Sequence, residues 1–175
     1  MPTKTRLLIW TADRHSGKTT TAMTLVRRLR ERGFTVAGLL APSLYRSGEL
    51  LGFDGLDVRT GRRTRLAERK TSPNTPAGFE ITVPGRRLGQ QALDPANAGS
   101  ADLIVVDEFG PLEMAGEGWR KNVDLLLDSA VGLIMLVVRT ELADNVQKLY
   151  SHVPSRKITA TDPDSTDKVL AILTK

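Results

Sequence analysis

The sequence predicts a three-layer α/β fold, a mainly parallel sheet with helices on both faces and a β-hairpin insertion, and three observations carry that reading. Short apolar runs alternate with amphipathic segments along most of the 175 residues. Strands joined through helices require right-handed crossovers, which put helices on both faces of a parallel sheet. The first apolar run ends in a loop of small and polar residues that opens directly into a helical pattern, and a later apolar run ends in two adjacent carboxylates. Both features belong at the carboxyl edge of such a sheet, where ligands bind.

In order along the chain, Arg6–Trp10 is apolar without helical period and reads as a buried parallel strand. From Lys18 to Arg32 the spacing turns helical, with Ala22, Leu25, Val26 and Leu29 on one stripe and Gly33 where a C-terminal cap belongs. Phe34–Leu40 reads as a second strand, and Ser47-Gly48 forms a turn leading into Leu50–Val58, the hairpin insertion. Arg59 to Pro84, rich in Arg, Thr, Pro and Gly, reads as long loops with short strands such as Phe79–Val83. Leu88–Ala98 reads as a short helix broken near Pro95, Asp102–Asp107 as a strongly apolar strand, and Trp119–Ala130 as a helix. Leu133–Val138 (strand), Leu142–Val153 (helix), Lys157–Thr161 (strand) and Ser165–Leu173 (helix) complete the alternation.

Composition bounds the answer. With 40% hydrophobic and 26% charged residues the chain is an ordinary globular one, sized for one domain over residues 1–175. Its longest apolar stretch, Leu133–Val138, is far short of the ~20 residues of a membrane-spanning helix. Cysteine is absent, which removes disulfides, thiolate metal sites and a cysteine nucleophile, and makes a reducing, cytoplasmic setting the expectation. The net charge of +5 favours encounter with anions, nucleotides and nucleic acid among them, without choosing between them.

The chemistry lies in two motifs. Ala12-Asp13-Arg14-His15-Ser16-Gly17-Lys18-Thr19, followed by Thr20, has the arrangement of a phosphate-binding (Walker A) loop, with Ala12 where the pattern usually has its first glycine. A strand-to-helix loop can aim successive N–H groups at phosphate oxygens; Gly17 permits close approach and the Lys18 ammonium falls between the β- and γ-phosphates. Thr19 is the candidate hydroxyl ligand of Mg²⁺. The second motif, Asp102-Leu103-Ile104-Val105-Val106-Asp107-Glu108, is an apolar strand ending in two acids, a Walker B pattern. Asp107 is expected to hold Mg²⁺ through water, and Glu108 to take a proton from an attacking water. Lys18 and Glu108 are therefore the candidate catalytic residues. Glu113, five residues beyond Glu108, reads equally as a surface residue or as one that returns to the site.

Other charged residues are less specific. His15 reads first as a solvent-facing loop residue and second as a phosphate contact. Arg139, at the end of its strand, is either a surface arginine or a base-stacking member of the nucleotide site. Arg59-Thr60-Gly61-Arg62-Arg63-Thr64-Arg65, extended by Arg69-Lys70, reads first as a solvated basic loop, then as the source of an arginine finger, and last as a contact for RNA or DNA, because no aromatic stacking partner lies within it. No Asn-Lys-x-Asp or Thr-Lys-x-Asp segment occurs, so guanine specificity of the regulatory-GTPase kind is not expected.

With these residues in hand, the chain resembles the P-loop nucleoside triphosphatases described from thermophiles and, in vertebrates, as cancer-related. Thr11 to Thr20 resembles the phosphate loop of that family, and Gly38 through Gly52-Phe53-Asp54 resembles its hairpin, which ends in Gly-Phe-Asp. Asp107-Glu108-Phe109-Gly110-Pro111-Leu112-Glu113-Met114 resembles its Asp-Glu-Ile-Gly-Pro-Met-Glu-Leu signature, the most specific of the three. Ala12 and His15 stand where that family usually has glycines, and Ala41-Pro42-Ser43-Leu44-Tyr45 replaces its usual Thr-Glu-Glu-Val-Arg. The resemblance covers nearly the whole chain and implies a P-loop NTPase fold. It also implies Mg²⁺-dependent hydrolysis of ATP, GTP and other nucleoside triphosphates to diphosphate and phosphate. The rivals are a P-loop kinase for a small molecule or nucleotide, which needs an acceptor site rather than a base beside water, and a nucleotide-regulated RNA-binding module built on the basic run.

Overall fold

The computed structural model describes residues 6–13, 16–70, 78–130 and 132–175. In chain order the elements are β1 (Leu7–Ala12), α1 (Lys18–Glu31), β2 (Val36–Leu40), β3 (Ser43–Arg46), β4 (Glu49–Asp57), β5 (Arg63–Arg69), β6 (Phe79–Ile81), α2 (Val83–Ala92) and α3 (Pro95–Ala98). They continue with β7 (Leu103–Val106), α4 (Pro111–Met114), α5 (Arg120–Ser129), β8 (Leu133–Arg139), a 3₁₀ turn (Thr140–Leu142), α6 (Ala143–Leu149), β9 (Ser155–Thr159) and α7 (Ser165–Leu173).

One sheet runs β6-β5-β4-β2-β7-β8-β1-β9, with β3 paired to β4. The half from β2 to β9 is parallel throughout, and β2, β7, β8 and β1 are apolar on both sides because both faces are covered, whereas the edge strand β9 buries only Ile158. Alternate residues make two cores. Leu8, Trp10, Val105, Met135 and Val137 pack with Leu25 and Leu29 of α1 and Val169 and Ile172 of α7. Leu7, Ile9, Ile104, Val106, Ile134 and Leu136 pack with Leu88 of α2, Val123 and Leu126 of α5, and Val146 of α6. These are the three layers that the alternating pattern predicts.

The antiparallel wing differs most from the sequence reading. The turn at Ser47-Gly48 is present, with both residues in the left-handed region (φ 50° and 80°) as a two-residue hairpin of this twist requires. The strand it joins to β4, however, is β3 and not the second strand itself; β2 meets β4 separately, antiparallel, at Leu39–Asp57 and Leu40–Leu56. The expected long loops over 59–84 contain a seven-residue strand, β5, whose Arg, Thr and Glu side chains conceal its period and whose order comes from pairing with β4 and β6. The strand expected over 79–83 stops at Ile81, because Thr82 caps α2: its Oγ1 accepts from the Gly85 N–H at 2.9 Å, and Pro84 sits in the first turn where its missing N–H costs nothing. The helix read over 88–98 therefore begins at Val83 and breaks before Pro95, where Asp94 caps the short α3.

Elsewhere the differences are shifts of boundary. The helix read over 142–153 is the 3₁₀ turn plus α6, ending at Leu149, and the strand read over 157–161 is β9, set two residues earlier by its register on β1. Among the described residues no helix is long and apolar enough to cross a membrane.

Gly38 is the tightest point between β2 and β7. Its φ is +113°, and a Cβ there would lie 2.0 Å from the Val105 carbonyl oxygen, which is backbone and cannot yield. Gly38→Ala is expected to lose ~3 kcal/mol or more, the scale of combined backbone strain and overpacking, and with it ~6–12 °C of Tm. Thermal unfolding followed by circular dichroism checks this; an unchanged Tm contradicts the close β2–β7 approach.

Candidate active site

Four strand ends meet at the carboxyl edge of the parallel half. β1 ends at Ala12, in register with Arg139 at the end of β8. β7 ends at Val106, one residue before Asp107, and β2 ends at Leu40, one residue before Ala41. Because β8 separates β1 from β7, the loop after β1 and the acids after β7 face each other across the end of one intervening strand.

The loop after β1 is shaped by Gly17, whose φ of +76° lets the chain turn into α1; a Cβ at that point would meet nothing but would strain the backbone. Gly17 is the N-cap of α1 and supplies no side-chain acceptor, and the first turn contains no acid. The first N–H groups of α1 thus keep the capacity to bind an anion, helped by the positive end of the helix dipole. The Asp13 carbonyl accepts from Ser16 Oγ at 2.6 Å and from Lys18 Nζ at 3.3 Å, so the Lys18 ammonium lies folded over the loop with most of its side chain buried. Thr20 is exposed on the outer side of α1. Arg14 and His15 lie outside the described residues.

Asp107 is the centre of the site. It is 1% exposed, and its Oδ2 accepts from Thr19 Oγ1 at 2.8 Å and from the Ala41 N–H at 2.9 Å. Its other oxygen, Oδ1, is buried without a hydrogen-bond partner. Burial pushes this carboxyl up to about 6 against the pull of the Ala41 and Thr19 donors. An orphaned, desolvated carboxylate oxygen beside a threonine hydroxyl fits a hard cation, and one protein carboxylate plus a hydroxyl, completed by water and phosphate oxygens, is the donor set Mg²⁺ favours.

Glu108 follows in the left-handed region, with φ of 62°, a conformation costing a non-glycine residue about 1–2 kcal/mol. The chain is held there from both sides: the Asp107 N–H donates to Leu39 O and the Phe109 N–H donates to Val137 O, each at 3.0 Å. Phe109 is buried against Tyr150. The Glu108 carboxylate is partly exposed, and its Oε2 lies 4.0 Å from Arg139 Nη2. Arg139 is therefore beside the acid pair and the first residue of the loop at once. The arginine run at 59–65 is remote, because β5 is separated from β7 by β4 and β2.

Of the two readings of Glu113, surface and site, the structure supports neither. Glu113 is buried, with Oε2 accepting from the Gly110 N–H at 2.9 Å and Oε1 from the Trp119 N–H at 3.1 Å, and its pKa is raised by burial against those two donors. It holds closed the turn that follows Glu108. The sequence signal for this was the third-residue glutamate of Gly-Pro-Leu-Glu, which reaches back to the residue before the helix as in a capping box. The Ala41 N–H, by contrast, has no sequence signature.

The chain matches a family model described as NTPase over residues 7–173. Among curated relatives, nucleoside-triphosphatase THEP1 of Methanothermobacter thermautotrophicus is 31% identical over 162 residues, 88% of this chain and 86% of the relative. The protein of the same name from Hyperthermus butylicus is 32% identical over 131 residues, 73% of this chain and 68% of the relative. Among solved structures, a human cancer-related nucleoside triphosphatase superposes with a TM-score of 0.70 at 18% identity, covering 98% of this chain and 96% of that one. THEP1 from Aquifex aeolicus gives 0.68 at 18%, covering 97% and 99%. At that identity the two structures speak for the fold alone. With nearly its whole length matched by the family model, and with a phosphate-type loop facing a buried aspartate at one sheet edge, the chain belongs to the nucleoside-triphosphatase family.

Proposed function

We propose that this nucleoside-triphosphate hydrolase works on ATP, GTP and other nucleoside triphosphates with Mg²⁺, holding the polyphosphate in the loop from Ala12 through Asp13, Arg14, His15, Ser16, Gly17, Lys18 and Thr19 to Thr20. The observation that carries this reading is the 2.8 Å hydrogen bond between Thr19 and Asp107, residues 88 positions apart whose paired oxygens suit a divalent cation bound to phosphate. Thr19 and Asp107 would hold Mg²⁺, which when bound neutralises charge on the β- and γ-phosphate oxygens.

The rest is done by side chains of the chain itself. Backbone N–H groups at the start of α1 bind phosphate oxygens, and the Lys18 ammonium exchanges the Asp13 carbonyl for the β–γ region of the substrate. Glu108 accepts a proton from water as that oxygen attacks the γ-phosphorus; the bond to the β–γ bridging oxygen breaks, and diphosphate and phosphate leave. The strained backbone at Glu108, pinned on either side, holds the base ready instead of letting it collapse onto the sheet. The position of Arg139, beside Glu108 and Ala12, supports contact with the phosphate end of the nucleotide in preference to base stacking. A base beside the loop favours water over an acceptor alcohol, which sets hydrolysis above the kinase reading. The cysteine-free composition supports a cytoplasmic setting.

Glu108→Gln is expected to lower phosphate release by ~10²-fold or more, the usual scale for loss of a general base, while nucleoside diphosphate affinity stays within about twofold. Steady-state phosphate release and calorimetric diphosphate binding check it, and hydrolysis at the wild-type rate removes Glu108 from the role. Asp107 generates a stability test in chelator. Its carboxyl titrates near 3.8 when unfolded and about 6 when folded, so the folded state binds the extra proton between those values. The metal-free protein is then expected to lose on the order of 3 kcal/mol from this group as pH rises from about 4 to about 6. Asp107→Asn lacks that loss, so urea unfolding of variant and wild type should diverge in the variant's favour on going from pH 4 to pH 7. Parallel pH profiles contradict the desolvated carboxylate.

A further inference from the structure

The arginine-rich run is not used by the hydrolytic site, and the fold divides it into two kinds of residue. Arg65 is paired with Asp54 at 3.3 Å and Glu68 at 3.6 Å, and Arg69 with Glu49 at 2.8 Å. Arg59 hydrogen-bonds the Asn97 carbonyl and Ser100. Arg62 and Arg63 form no ion pair among the described residues, and neither does Arg87, which α2 brings to the same place. These three exposed guanidiniums rim a cleft of about 410 Å³ whose other walls include Pro84, Leu88 and Gln91.

The chemistry of that cleft is specific. Three like charges converge without a counter-ion, an arrangement that repels itself until an anion arrives. Guanidinium forks match phosphate oxygens in bidentate fashion. Exposed Pro84 gives an apolar surface beside the cations, suited to a ribose or the face of a base, and the Gln91 amide, whose oxygen accepts from Arg62 at 3.5 Å, retains hydrogen-bonding capacity at its NH₂ among the described residues. The volume lies at the small end of the ~300–1,000 Å³ typical of ligand clefts, a fit for one nucleotide unit and not for a duplex.

We propose that this cleft between the start of β5 and α2 is a binding site for single-stranded nucleic acid, separate from the hydrolytic site. It reads the phosphate backbone and accepts one nucleotide unit into the cleft. With no aromatic among the cleft residues, affinity comes from charge and is steeply salt-dependent, with little preference for base. β4 and β2 separate β5 from β7, so occupancy leaves the reaction at Asp107 and Glu108 unobstructed.

Fluorescence anisotropy of a labelled 12-nucleotide single-stranded RNA, titrated with the full chain from 50 to 200 mM NaCl, tests this. The Arg62→Ala/Arg63→Ala/Arg87→Ala variant is expected to bind at least about tenfold more weakly at 50 mM. Its log–log salt slope should fall by about 2, at ~0.7 per phosphate contact of a single strand, so that the wild type loses about 20-fold more affinity than the variant over the range. A control of identical net charge, Arg32→Ala/Lys121→Ala/Lys148→Ala, removes exposed cations elsewhere and should bind within about twofold of wild type. Both variants should keep the wild-type Tm and phosphate release, which separates failure of this site from failure of the hydrolytic reading. Equal loss in both variants would reduce the binding to net charge and overturn the site. So would absence of wild-type binding at 50 mM, or displacement of the strand by uridine monophosphate, mole for mole, as strong as by unlabelled strand.

Discussion

A single buried carboxylate organises the edge of this molecule. Asp107 takes a hydroxyl from the helix after β1 and an amide from the chain after β2 on one oxygen, and keeps the other oxygen bare. Three segments distant in sequence are thereby tied to one atom pair, and the tie is electrostatically costly: a desolvated carboxylate with an unpartnered oxygen is stable only as long as the surrounding sheet insists on it. The parallel half supplies that insistence. β2, β7, β8 and β1 are each apolar on both sides and packed between helices, so their ends cannot drift to relieve the charge. A desolvated carboxylate held in so rigid a frame is a group that a bound cation would stabilise, because the ion would supply the partner that the bare oxygen lacks.

The turn beyond Asp107 extends the same logic to the proposed base. Glu108 sits in a backbone conformation that costs energy, and it persists because Asp107 and Phe109 are bonded into neighbouring strands on either side and because Glu113 clamps the following turn at Gly110 and Trp119. Glu113 does its work through backbone, not through substrate. Arg139 joins the group from β8, the strand between the loop and the acids, so that a guanidinium, a partly exposed carboxylate and a buried carboxylate share one rim. None of these contacts involves the antiparallel wing, which is free to carry a different surface: a cationic cleft assembled from β5 and α2.

The parallel half was readable from the sequence because its signals are redundant. A strand buried on both faces is uniformly apolar, and Gly17-Lys18-Thr19 and Asp107-Glu108 combine residue types that few other contexts tolerate together. The antiparallel wing was less readable for a physical reason. β5 is a strand through its neighbours, with Arg63, Arg65, Glu68 and Arg69 turned to solvent, so no hydrophobic period marks it. At α2 the signal existed, Thr82 followed by Pro84 near the start of an apolar stripe, and was outweighed by the loop-like composition before it. Ala41, whose amide is one of two donors to Asp107, contributes only backbone, and a backbone donor is invisible until the fold brings it there. The juxtaposition of Arg139 with Glu108 likewise depends on the order of strands, which the sequence implies only in outline.

The shared-cation claim is tested most directly by a double-mutant cycle on Thr19→Val and Asp107→Asn, reading calorimetric affinity for a non-hydrolysable triphosphate analogue with and without Mg²⁺. If both residues serve one ion, each single variant loses most of the affinity that Mg²⁺ adds, the double variant is no weaker than the weaker single, and without Mg²⁺ all four proteins bind alike. Losses that simply add, and that are the same size in the absence of Mg²⁺, would contradict it.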